Sequence, residues 1–83
     1  MCYTVYILES KQSGRYYIGQ TKDLAKRLSE HNRGRCKSTR SGIPWDVIYT
    51  EVYESRELAY NQEKRIKNKG AGRFLKELGR GVV

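Results

Sequence analysis

The sequence is short of cysteine, histidine and acidic residues, and it has no long apolar run. Cys2 and Cys36 are its two cysteines and His31 its one histidine. That is too few ligands, at the wrong spacing, for a structural zinc site. No apolar stretch approaches the length needed to cross a bilayer, and no signal-peptide core follows Met1. No segment sets a Trp/Phe/Leu face against a basic one, which argues against an acidic membrane surface as the main partner. The expected address is the cytoplasm, where two free thiols are favoured over a disulfide. Acids number 9 against 17 Lys+Arg, a net charge of +8 on 83 residues. So strong a bias on so small a chain points to a polyanion, with nucleic acid first.

What is present fits one small folded domain, residues 1–83, with a modest core. Hydrophobic content of 37% and charged content of 31% exclude a disordered chain. There is no internal repeat and no boundary that would split it.

Cys2–Glu9 is apolar on both alternating faces, which predicts a central strand covered on two sides. Lys11–Gly14 is a polar turn, with Gly14 free to take a positive φ. Arg15–Gln20 returns. Pairing Tyr3 with Gln20 sets Tyr6 opposite Tyr17 and puts both rings on one face. Thr21 or Asp23 caps a helix buried through Leu24 and Leu28. Arg27 and His31, four apart, share a face at the rim of that stripe. Gly34 ends the helix in a left-handed cap. Arg35–Pro44 is a basic loop, expected to be mobile. Trp45–Tyr53 is a third strand with imperfect alternation. Ser55 caps a second helix running to about Asn68, with Leu58, Ala59 and Ile66 on its buried side. Gly70–Gly72 stops it, Arg73–Leu78 forms a turn or two, and the tail 79–83 frays. The order β-β-α-β-α-α gives a compact α+β domain.

Four kinds of residue could carry chemistry. Glu63 falls within the arc of Ala59 and Ile66. A carboxylate there calls for an ion pair with Lys or Arg, or for a bound cation, unless the helix is rotated and Glu63 is solvated. Seven tyrosines are many for this length, and most suit half-buried strand surfaces. Tyr6 and Tyr17 differ because they can meet across a hairpin beside a cationic helix. A phenol near Arg27 and Lys22 is expected to have its anion favoured. Arg27 has a fork that matches two phosphoryl oxygens. His31 gains interest from sharing Arg27's face.

Val5-Tyr6-Ile7, the following Tyr17-Ile18-Gly19, then Arg27, His31 and the distal helix residue Glu63, together resemble the GIY-YIG nuclease domain. The likeness is to its small single-domain bacterial members and spans about Met1 to Leu78. It implies a three-stranded antiparallel sheet flanked by helices, and cleavage of DNA with one divalent cation. By the same resemblance Tyr6 and Tyr17 are the paired phenols, one of them the general base. Arg27 would stabilise the pentacoordinate phosphate and His31 would relay protons or position water. Glu63 would be the one protein ligand to the metal. Val5 departs from the first glycine of the motif. Gln20 stands where repair-type members often carry lysine. Asn68 is the nearest match to a late asparagine.

The resulting expectation is a DNA endonuclease using Mg²⁺ or Mn²⁺ and selecting a branched, nicked or single-stranded structure in repair or recombination. Lys11, Arg15, Lys22, Lys26, Arg33, Arg35, Lys37 and Arg40 would hold the backbone, giving salt dependence with little sequence choice. The alternatives are a non-catalytic nucleic-acid-binding module, on DNA or RNA, and a small interaction protein docked on a larger repair assembly.

Overall fold

The computed structural model describes residues 2–82, with side chains over 2–79. It contains β1 (Tyr3–Ser10), β2 (Tyr16–Thr21), α1 (Leu24–Asn32), a 3₁₀ helix (Lys37–Gly42), β3 (Trp45–Tyr53), α2 (Arg56–Lys69) and α3 (Ala71–Val82). The strands form one antiparallel sheet in the order β2-β1-β3. This is the three-stranded α+β architecture expected from the sequence.

The apolar residues of β1 explain its central place. Val5 and Ile7 pack on one face with Ala59, Ile66 and Ala71 of α2 and α3. Tyr6 and Leu8 pack on the other with Trp45, Leu24 and Leu28. The sheet therefore has α1 on one side and α2 with α3 on the other. Leu58, expected in the core, is 52% exposed, so α2 is buried through Ala59 and Ile66 without it.

The β1–β2 register differs from expectation. Tyr6 faces Gly19 and Leu8 faces Tyr17. The shift is by two residues, so the face of every side chain is preserved. The broken alternation of β3 has a cause as well. Ile7 pairs with Tyr49 but Leu8 with Val47, which leaves Ile48 as a bulge residue.

Asp23 caps α1 by accepting from the Lys26 N–H at 3.1 Å, and Ser55 caps α2 through the Leu58 N–H at 3.2 Å. Gly34, at φ 77°, closes α1 as expected. The segment 35–44 is not a free loop. Buried Ser10 donates to the Gly42 carbonyl at 2.6 Å and accepts the N–H groups of Gln12 and Ser13. This ties the hairpin turn to the 3₁₀ helix. Asn32 accepts the Trp45 N–H at 2.7 Å, and the Trp45 indole donates to the Thr39 carbonyl at 2.7 Å.

α3 is longer than expected. Gly70 alone interrupts the chain, and the helix runs from Ala71 to Val82 through most of the tail expected to fray. Met1 and Val83 lie outside the described residues. Among the described residues both cysteines are free thiols, and no helix is long and apolar enough to cross a membrane.

Candidate active site

The site begins at Gly19. A Cβ added there would stand 2.7 Å from the Tyr6 hydroxyl oxygen and 3.1 Å from the Tyr17 ring. The glycine is therefore the floor on which the first phenol lies. Tyr17, two residues back on the same face, brings its ring centroid to 6.3 Å from that of Tyr6. α1 then delivers Arg27 and His31 one turn apart. The His31 ring lies 4.8 Å from Tyr17 and 6.1 Å from Tyr6, edge-on to both. Its Nε2 is 3.2 Å from the Tyr6 hydroxyl, and its Nδ1 is 2.9 Å from the Thr39 hydroxyl. Tyr6, Tyr17, Arg27 and His31 thus form one cluster. His31 is fully buried and not at a rim.

The electrostatics correct one expectation. Burial pushes the Tyr6 phenol up to about 12, and the nearby Arg27 only partly offsets this. Desolvation wins because Tyr6 is 1% exposed. Burial also lowers the His31 pKa, and the Arg27 charge adds to the effect, so the imidazole is neutral at pH 7. The Arg27 guanidinium lies beside both phenols and is held still more firmly in its charged form. It also pairs with Glu30 at 3.2 Å. Lys22, invoked from sequence as a second cation near the phenols, instead lies 5.5 Å over the ring of Tyr3.

Beside this cluster opens a hollow of about 500 Å³. Lys26, Arg27 and Glu30 line it from α1 and Lys22 and Asp23 from the β2–α1 turn, with Tyr3, Gln20, Thr21 and Arg56 around them, so four cations face two carboxylates. Tyr3 packs with the core on the α2 side. The hollow therefore lies at the end of the sheet where β1 starts and β2 finishes, and it receives side chains from both sides. Among the described residues the Gln20 Oε1 is buried without a partner.

Glu63 lies apart from the phenol cluster. It sits on α2, across the sheet from α1, with its side chain 15% exposed and its carboxylate 2.7 Å from Lys67 Nζ. With Tyr60, Lys64 and Lys67 it lines a smaller hollow of about 140 Å³. Arg56, Tyr60, Glu63 and Lys67 follow one another at helical spacing, so a single stripe of α2 runs from the large hollow to the small one. Among the described residues no cluster of three or more His, Cys, Asp or Glu could hold a metal. A metal here would rest on an isolated carboxylate.

Of the eight backbone-binding candidates, Lys22 and Lys26 line the large hollow and the other six do not. Lys11 pairs with Asp46 at 2.8 Å. Arg15 donates to Ser41 and stands over the Trp45 ring. Arg40 donates to the Gly34 carbonyl at 3.0 Å. Arg33, Arg35 and Lys37 are exposed. Sequence reasoning missed Arg56 and Thr39. Arg56 could have been found seven residues before Glu63 on the same helical stripe. Nothing local marks Thr39.

A family profile described as the GIY-YIG catalytic domain matches residues 2–73. The chain belongs to the GIY-YIG family. This GIY-YIG chain is 41% identical over 66 residues to a UPF0213 protein of Streptococcus pneumoniae, covering 78% of itself and 66% of that relative. It thus spans just under two thirds of the pneumococcal protein. A UPF0213 protein of Halobacterium salinarum is 41% identical over 64 residues, 76% of this chain and 82% of that one. The solution NMR structure of a UPF0213 protein from Bacillus halodurans superposes with a TM-score of 0.56 at 34% identity. It covers 99% of this chain and 85% of that one. GIY-YIG domains are nuclease domains and are generally dependent on a divalent metal.

Proposed function

We propose that this GIY-YIG chain is a divalent-metal-dependent endonuclease that hydrolyses DNA phosphodiester bonds. The observation that supports it most is Arg27, set beside two phenols at the border of a basic hollow. A guanidinium there can bond two phosphoryl oxygens and counter the charge that builds in the pentacoordinate state. Lys22, Lys26 and Arg56 would hold flanking phosphates.

The two phenols take different parts. Tyr6 is buried, and a pKa of about 12 leaves only about one part in 10⁵ ionised at pH 7. Forming its anion there would cost about 7 kcal/mol. Tyr17 is half-buried and reachable. We assign Tyr17 to orient the attacking water, with His31 against its ring, and Tyr6 to hold His31.

Glu63 suits one hard cation. It is a shielded carboxylate whose partner is already a cation, the Lys67 ammonium. A Mg²⁺ or Mn²⁺ held there would supply charge to neutralise the non-bridging and leaving oxygens of a strand that passes around the end of the sheet from Arg27 to Glu63. Contacts to phosphate alone bring little sequence choice, so we propose selection of a branched, nicked or single-stranded substrate, in repair or recombination in the cytoplasm.

A plasmid and a panel of branched, nicked and single-stranded oligonucleotides, incubated with Mg²⁺ or Mn²⁺, test this. Cleavage should vanish with chelator, with Glu63→Ala and with Arg27→Ala. One observation favours the rival, a non-catalytic binding module: Lys67 already satisfies Glu63 without a metal. Salt-dependent DNA or RNA binding with no cleavage of any substrate would select that rival.

A further inference from the structure

We propose that Thr39 is a positioning residue that fixes His31 in the tautomer with its proton on Nδ1. Thr39 is 1% exposed and comes from the 3₁₀ helix, far from the family motifs. Its backbone is fully engaged: the N–H donates to the Cys36 carbonyl at 3.1 Å and the carbonyl accepts from Trp45. The hydroxyl has two neighbours, His31 Nδ1 at 2.9 Å and the Cys36 carbonyl at 3.3 Å.

The direction of this chain is set at the Thr39 end. A carbonyl can only accept, so the Thr39 hydroxyl donates to Cys36 and must accept from His31. At the other end the Tyr6 hydroxyl is 3.2 Å from His31 Nε2. With Nδ1 protonated, Nε2 keeps its lone pair, so the Tyr6 hydroxyl sends its proton there. Both contacts fit an imidazole with Nδ1–H and a free Nε2 lone pair. The reversed polarity would turn the Tyr6 hydroxyl's proton away from Nε2 and leave the Cys36 carbonyl without that bond. Thr39 thereby holds the Tyr6 hydroxyl in place through His31, and the hairpin face beside Arg27 is fixed from behind.

The tautomer stands on geometry alone; its effect on catalysis rests on the nuclease reading. Because His31 is the one histidine, ¹⁵N-histidine labelling reports a single residue. Long-range proton–nitrogen correlation at neutral pH should show a protonated Nδ1 and a pyridine-type Nε2. Thr39→Val should move the population towards Nε2–H, and Thr39→Ser should keep the native pattern. In the cleavage assay Thr39→Val should lower kcat about tenfold with KM little changed, equivalent to about 1.4 kcal/mol, and serine should restore it. A native His31 protonated on Nε2 overturns the proposal. So does a valine variant with an unchanged tautomer. If the valine variant does not fold, the native protein and Thr39→Ser decide, and a serine variant that loses the native pattern also overturns it. Should the native chain cleave no substrate, the nuclease reading fails while the tautomer result still reads out.

Discussion

The Tyr6 hydroxyl and His31 Nε2 stand 3.2 Å apart, one on the central strand and the other on α1, and both residues are buried. Each gives the other a polar partner that its burial calls for. The pair joins the hairpin to the helix that carries Arg27, and both groups are neutral at physiological pH.

The imidazole predicts a stability profile. Its pKa is lowered in the folded state, so below about 6.5 the unfolded chain binds a proton that the folded one resists. Stability should therefore fall as pH drops through that range. Urea midpoints measured from pH 7.5 to 5.0 should decline, and a folded His31→Gln variant should show a flatter profile.

The phenol predicts the opposite limb. The unfolded tyrosine ionises near 10, whereas folded Tyr6 holds its proton to about 12. Its contribution is complete below about 10 and is lost as pH rises through the folded value. Tyr6→Phe should reduce this alkaline loss. The same variant should cost about 1–3 kcal/mol at pH 7, because Nε2 of buried His31 is left without a partner. Ultraviolet titration and urea unfolding of the variant check both outcomes.

Gly19→Ala should be destabilising by about 1–3 kcal/mol, since the new methyl meets the Tyr6 hydroxyl at 2.7 Å with a fully packed ring behind it. Urea unfolding gives the size. A loss of the tyrosine–histidine ring-current shifts by NMR would place the damage at the phenol pair.

Arg27→Lys keeps the charge but not the fork. DNA affinity should change little, whereas the cleavage rate should fall about 10²–10³-fold. Filter binding and single-turnover cleavage separate the two effects.

Much of the fold was legible because it rests on local rules. The bounds of β3 followed from composition, the Ser55 cap and the choice of Thr21 or Asp23 for α1 from side-chain chemistry, and Gly34 from its need for a positive φ. The phenols were placed on one face despite a register wrong by two residues, since strand parity survives an even shift. The unread features depend on contacts across the chain. The 3₁₀ helix is held by Ser10, Asn32 and Trp45, which no window of sequence brings together. From sequence the nearby cations favour the Tyr6 anion, whereas complete burial, a tertiary property, decides the pKa. Leu58 lies next to buried Ala59 but turns outward, because α2 meets the sheet through a narrow stripe. Glu63 could be placed on a shielded helix face, but its position across the sheet from Arg27 follows only from the topology.

The account turns on whether Glu63 of α2 and Arg27 of α1 serve one site around the end of the sheet. Paramagnetic broadening by Mn²⁺ in the presence of a short DNA duplex, read at each backbone amide, tests this most directly. The account predicts broadening centred on Glu63 and extending to Gly19, Gln20 and Arg27, enhanced by Lys67→Ala and abolished by Glu63→Ala. Broadening confined to α2, or unchanged when Glu63 is replaced, would contradict it.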